Sequence, residues 1–324
     1  MSKTIDKIKE EANLRKQTFF DITYDPVLKK VFQKKSTLVH FLNTFLRLEN
    51  DNRITQVEQL KRKVRLHDAN GGFSTGGFDI HARTADGRFV DIEVQRLEHD
   101  DFLDRVEFYG SLLSIKSKIT MDSEASKRQL KEHPYLMPTV YSIWLCNFKV
   151  PFCNDYREDL GLFRFSDLGN THALPIYAKK RYIVIDITRY VPSSGNDLEH
   201  QWLEIFKLAA KKSRIPRNVA EEIRDVYERL MVNGSTEDFL RKVVNSMTDK
   251  KEYWACLSTA RRKGEAEGLA KGLVKGEAKG LAKGLEEGEA KANKKFAARD
   301  KKIAEFLRAN GVSRKLLTAA LAIK

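Results

Sequence analysis

Phe78-Asp79-Ile80-His81-Ala82-Arg83-Thr84-Ala85-Asp86-Gly87-Arg88-Phe89-Val90-Asp91-Ile92-Glu93-Val94-Gln95 is two alternating segments around a turn. Phe78, Ile80 and Ala82 alternate with Asp79, His81 and Arg83; Val90, Ile92 and Val94 alternate with Asp91, Glu93 and Gln95. Period-two alternation marks half-buried strands. A two-residue Asp86-Gly87 turn pairs Ala85 with Arg88 and sets Asp79 against Val94. A three-residue loop, Ala85-Asp86-Gly87, pairs Thr84 with Arg88 and places Gly87 in the left-handed position of a bulge turn. In that register Ile80 faces Ile92, Phe78 faces Val94 and Asp79 faces Glu93. The apolar pattern selects the register that also builds an acidic pair.

Opposed side chains on paired strands have Cβ atoms roughly 4.5–5.5 Å apart, and like charges at that distance repel unless neutralised. Asp79, Glu93 and the Gln95 amide therefore suit a divalent metal and an attacking water. The alternative is a pair of exposed carboxylates with no task. His81 and Asp91 share the polar face and are expected to be solvated.

Bulk properties narrow the partners. The chain has 324 residues, 41% hydrophobic and 32% charged, with a net charge of +14. From Lys251 onward 18 Lys/Arg stand against 9 Asp/Glu, so the first 250 residues hold only +5 of that excess. Nucleic acid or another acidic surface is the partner such charge favours; a lysine-rich helix serving solubility is the alternative. Cys146, Cys153 and Cys256 are widely spaced, without zinc-ligand spacing, which points to a reduced compartment. Met1 to Lys16 has no apolar signal core, and the longest apolar run, Val140 to Phe148, is too short to cross a bilayer. A cytoplasmic protein is expected.

Residues 1–20 read as a charged helical lead-in. Asp25-Pro26 opens a helix with Asp25 as its cap, and Ser36 to Leu46 forms a second. Ile54 to Leu66 reads as a strand and Asn70 to Gly77 as a glycine-rich loop, without the Lys-Ser/Thr ending of a phosphate loop. Asp100 to Lys118 is helical. Val140 to Phe148 and Tyr182 to Ile187 read as buried strands. The expected fold is a mixed α/β core over 21–195, then helices over 196–260. Asp197 caps the first of these, Asn218 to Leu230 forms the next, and Ser235 to Asp238 starts another like a capping box.

In 261–298 glycine recurs every fourth residue, at Gly264, Gly268, Gly272, Gly276, Gly280, Gly284 and Gly288. Each costs a helix roughly 1 kcal/mol relative to Ala. A glycine-ridged helix that meets a second copy, making a homo-oligomer, and a flexible linker are both open. The interleaved Lys and Glu exclude the membrane version of the motif. Residues 299–324 read as a helix, a stop at Gly311 and a short capped helix.

The ordered motifs resemble a known family. Asp79 followed by Glu93-Val94-Gln95 on the next strand resembles the PD-(D/E)XK nuclease core. Thr23-Tyr24-Asp25-Pro26-Val27-Leu28-Lys29-Lys30-Val31-Phe32 is similar to the Asp-x-x-Phe-Lys-x-x-Phe opening of one branch. His40-Phe41-Leu42-Asn43-Thr44-Phe45-Leu46 resembles its Leu-x-x-Phe-Leu-Asn helix, and Phe102, Arg105 and Tyr109 its Phe-x-x-Arg-x-x-x-Tyr helix. Pro138 to Phe148 resembles its Pro-x-Ile-x-Ile strand. That branch comprises the recombination-promoting nucleases and transposases of bacteria.

The resemblance implies a restriction-endonuclease-like core and a metal-dependent endonuclease acting on DNA. It implies Mg²⁺ held by Asp79 and Glu93, with Gln95 in the place of the usual Lys, able to orient water but supplying no charge. Asp25 would add a carboxylate near or on the metal, its alternative being a helix cap. Arg105 and Tyr109 would contact phosphate or hold the helix to the sheet. Where the family often has a basic residue before its first Asp, this chain has Ser74-Thr75-Gly76-Gly77. The rival reading is a catalytically degenerate DNA-binding or assembly protein that keeps the nuclease core.

Overall fold

The structure is a computed structural model that describes residues 2–67, 73–98, 100–167, 169–170, 172–192, 197–247 and 250–321. Three helices lead, α1 (Ser2–Leu14), α2 (Asp25–Phe32) and α3 (Lys35–Phe45). Five strands follow, β1 (Val57–Gln59), β2 (Lys63–His67), β3 (Phe73–Gly77), β4 (Ile80–Thr84) and β5 (Phe89–Gln95). Helices α4 (Phe102–Glu124) and α5 (Lys127–Glu132) precede β6 (Val140–Cys146), β7 (Arg157–Leu162) and β8 (Tyr177–Asp186). The rest is helical: α6 (Leu198–Leu208), α7 (Glu221–Leu230), α8 (Glu237–Ser246), α9 (Lys250–Ala309) and α10 (Arg314–Leu321).

Six strands form one mixed sheet in the order β1-β4-β5-β6-β8-β7. Strands β5, β6 and β8 run parallel at its centre, and the flanking pairs are antiparallel. The central strands are buried on both faces, which explains the unbroken apolar run of β6. One face carries Ile80, Val90, Ile92, Ile143 and Ile183 into a core shared with α2, α3, α6 and α7. The other carries Phe89, Trp144 and Tyr182 against α4. Trp202 and Leu203 of α6 lie in the first of these cores, so the helices after 197 complete the layer over the sheet.

Several local expectations are corrected. Ile54 to Leu66 is two strands, because β1 pairs with β4 while β2 leaves to pair with β3 in a separate two-stranded sheet. Phe73–Gly77 is therefore a strand; residues 70–72 of the expected loop lie outside the described residues. Strand β7 and helix α5 carry no apolar periodicity. Tyr24, in extended geometry, is the cap position of α2, and Asp25 sits in its first turn, paired with Lys29. Thr236, not Ser235, caps α8, its hydroxyl accepting from the Phe239 N–H. Asp197 caps α6 as expected, accepting from the Glu199 N–H.

The chain divides into two compact units, Met1–Thr259 and Ala260–Lys324. The seven-glycine segment is helical and lies within α9. Gly311, at φ +81°, ends that helix, and the Val312 N–H donates to the Leu307 carbonyl at 3.2 Å. Among the described residues no helix is long and apolar enough to cross a membrane.

Candidate active site

The β4–β5 hairpin has the register that its apolar residues demand. Ile80 pairs with Ile92 and His81 with Asp91. The Thr84 N–H donates to the Arg88 carbonyl at 2.8 Å, and Gly87 has φ +86°. Asp79 stands one residue before β4, opposite Glu93. Its backbone N–H donates to Glu93 Oε1 at 3.0 Å, and the Val94 N–H donates to Asp79 Oδ2 at 2.9 Å. Each carboxylate is thus anchored by the other strand's backbone.

Helix α4 covers this face, so Asp91, Glu93 and Gln95 are 0%, 1% and 4% exposed. Burial pushes the Asp79 carboxyl up to about 6; the nearby charge of Asp25 adds to this, while the Val94 N–H, Arg105 and Arg62 oppose it. Burial, reinforced by Asp79, also drives Glu93 and Asp91 well above the usual carboxylate range. Asp91 and Glu93 stand two residues apart on the same face of β5, and the Ser142 hydroxyl lies 3.5 Å from Asp91 Oδ2.

Arg105 answers this negative charge from α4, and its field lowers both Asp79 and Glu93. Its guanidinium carbon lies 5.2 Å from the Tyr109 ring. The buried Nε has no hydrogen-bond partner among the described residues, an orphan donor beside two acids. Tyr109 packs edge-on to Phe78 and Trp144, and burial, together with Glu93, raises its hydroxyl's pKa. Gln95 lies two positions beyond Glu93, across from Cys146 of β6. Asp25 is near enough for its charge to act on Asp79. Its neighbour Tyr24 is tied to the end of β5 by Arg96, whose guanidinium lies 3.9 Å from the Tyr24 ring and donates to the Tyr24 hydroxyl at 3.1 Å.

Sequence reasoning missed three contributors. Arg62 enters from the link between β1 and β2 and donates to the Asp79 carbonyl at 3.4 Å. A basic group therefore reaches Asp79 from a strand edge, although none directly precedes it in sequence. His81 and Asp91 are corrected from solvated to buried, His81 being 1% exposed. His81 Nδ1 lies 3.2 Å from both the Lys116 ammonium of α4 and the Lys61 carbonyl, and Lys116 bonds that same carbonyl. Burial first, then Lys116, lowers the His81 pKa to about 4, so the ring is neutral. His81 Nε2 and Asp91 Oδ1 have no partner among the described residues. Alternation identifies a polar face but carries no signal that α4 will cover it.

The donors at this site are hard carboxylate oxygens. Among the described residues no three His, Cys, Asp or Glu side chains converge into a metal cage. Two carboxylates are fewer than the three or four protein ligands, mostly His and Cys, of an ordinary zinc site. They match the needs of a hard divalent cation such as Mg²⁺, which binds through one or two carboxylates and takes its remaining oxygens from water and phosphate.

A mixed sheet between helical layers, with an Asp and a Glu-x-Gln on adjoining strands, defines a nuclease-type core. Residues 22–254 match the model of the PD-(D/E)XK nuclease family transposases, and the chain belongs to that family. Neither a curated protein nor a solved structure matches it.

Proposed function

We propose that the protein is a Mg²⁺-dependent endonuclease that hydrolyses DNA phosphodiesters at Asp79 and Glu93, in recombination or in the movement of mobile elements. The observation that carries this reading is the cross-strand acid pair, each member held by the other strand's backbone N–H, beneath the unpartnered Nε of Arg105. Burying such a pair is costly unless a cation neutralises it.

Asp79 and Glu93 would hold the ion, which supplies charge for the scissile phosphate and acidifies a bound water. The chain's residues do the rest. The two backbone hydrogen bonds fix both carboxylates before substrate arrives, so little reorganisation remains for the reaction. Arg105 offers an N–H to a phosphate oxygen and balances negative charge as it develops. The Gln95 amide orients the attacking water. Tyr109 wedges the start of α4 against Trp144 and so sets the height of Arg105. The excess of basic residues draws in the polyanion. The glycine-ridged α9 serves self-association, and a chain shortened before Gly264 that keeps the full-length protein's number of subunits in solution would count against this.

With Mg²⁺ the purified protein should nick or linearise plasmid DNA. Asp79→Asn and Glu93→Gln should each slow cleavage at least ~100-fold, the scale of losing one stabilising group at a reacting centre. Cleavage at the wild-type rate by Asp79→Asn would sink the assignment. A wild-type chain that binds DNA without cutting it would favour a degenerate core instead.

A further inference from the structure

A cleft of about 1010 Å³ opens beside the hairpin, walled by α2, α8 and the β1 edge. Four cations line it, Lys29, Lys30, Arg62 and Lys242, against one carboxylate, Asp25. Asp25 pairs with Lys29, so three positive charges face the cleft uncompensated by its walls. Lys30 is the most telling of them. Its ammonium lies 4.8 Å from the Phe239 ring centre and 5.5 Å from that of Phe20. Partial burial, and secondarily Arg229, pull its pKa below the ordinary value. Among the described residues no carboxylate forms an ion pair with it. Partial desolvation makes the Lys30 charge costly, the two rings offset part of that cost, and an anion in the cleft would offset the rest.

Arg62 ties the cleft to the candidate site, because it also donates to the Asp79 carbonyl. Several cations spread around the cleft, on α2, on α8 and beside β1, suit a chain of phosphates better than a single anion. The volume lies at the upper end of small-ligand sites, room for a few nucleotides of one strand but not for a duplex. We propose that this cleft carries the phosphodiester backbone of one DNA strand toward Asp79. The proposal rests on the nuclease reading for the identity of its polyanion.

The test is the salt dependence of binding to a labelled single-stranded oligodeoxynucleotide of about 15 nucleotides, measured without metal so that no cleavage occurs. Each phosphate neutralised adds roughly 0.7 to the slope of log affinity against log salt. Lys30→Gln combined with Lys242→Gln should lower that slope by about 1.4. Lys131→Gln, outside the cleft, should leave it unchanged, and Lys30→Arg should keep the wild-type slope. If the double variant does not fold, Lys242→Gln alone should lower the slope by about 0.7. An unchanged slope in the variant that folds, or an equal fall in Lys131→Gln, overturns the proposal. Plasmid cleavage by the wild-type chain is scored separately. A reduced slope without wild-type cleavage keeps the cleft and rejects the nuclease, whereas cleavage with an unchanged slope does the reverse.

Discussion

The acidic residues under α4 store a proton preference that stability measurements can read. An unfolded Asp titrates near 3.9, while folded Asp79 titrates at about 6. The folded state therefore binds that proton more tightly. The contribution is fully present below about pH 4 and is lost as pH rises through about 6. Glu93 and Asp91 are raised as well and act in the same direction. His81 acts oppositely: its pKa falls to about 4, so its contribution is present above about pH 6.5 and is lost as pH falls toward 4. Three carboxyls outweigh one imidazole. Without metal, urea unfolding should give a protein more stable at about pH 5 than at pH 7.5, because the two carboxyls raised furthest, Glu93 and Asp91, add to Asp79. Combining Asp79→Asn with Glu93→Gln should flatten that difference. Stability that is level or falling on acidification would contradict the buried acid cluster. At this scale the sequence told a great deal. Opposed Ile80 and Ile92 force Asp79 against Glu93, whatever packs on top. It did not reveal that Asp91 and His81 are buried, because alternation separates the faces without saying which is covered.

Helix α4 turns a polar strand face into an enclosed site, and Gly110 sets its height. A Cβ there would run into the ring and hydroxyl of Tyr182 on β8. That hydroxyl cannot swing aside freely, since it donates to Glu107 Oε2 at 2.6 Å and the ring is buried. Overpacking typically costs 1–3 kcal/mol, while Ala regains about 1 kcal/mol of helix preference over Gly. Gly110→Ala should therefore lose up to about 2 kcal/mol in chemical denaturation. A cycle with Tyr182→Leu should show the two changes compensating one another, as contacting residues do. Equal losses with and without the Tyr182 ring would mean that α4 does not seat there. Elements with a strong apolar period, such as α2, α3 and β6, were legible from sequence. Strands β3 and β7 were not, for differing reasons. Phe73–Gly77 offers few side chains to alternate, and Arg157–Leu162 is an edge strand with little buried surface to leave a pattern.

The units Met1–Thr259 and Ala260–Lys324 have different sources of stability. The buried hydrophobic side chains, from Leu14 to Val244, belong to the first unit. In the second, no described side chain is buried. Its helix has exposed pairs such as Arg261–Glu265 at 2.9 Å and Glu267–Lys271 at 3.5 Å, each worth a few tenths of a kcal/mol. Seven glycines weigh against it at roughly 1 kcal/mol each. The core of the first unit should consequently be indifferent to the second. A chain ending at Thr259 should melt within ~2 °C of the full-length protein, a window equivalent to about 1 kcal/mol for a domain of this size. It should also keep Asp79-dependent plasmid cleavage, because the acid pair, Arg105 and the Lys30 cleft all precede the cut. Its far-UV circular dichroism should lose helical signal in the proportion that the removed segment contributes. A melting temperature lowered by more than ~5 °C would show instead that folding of the sheet and its helices draws on the glycine-ridged helix.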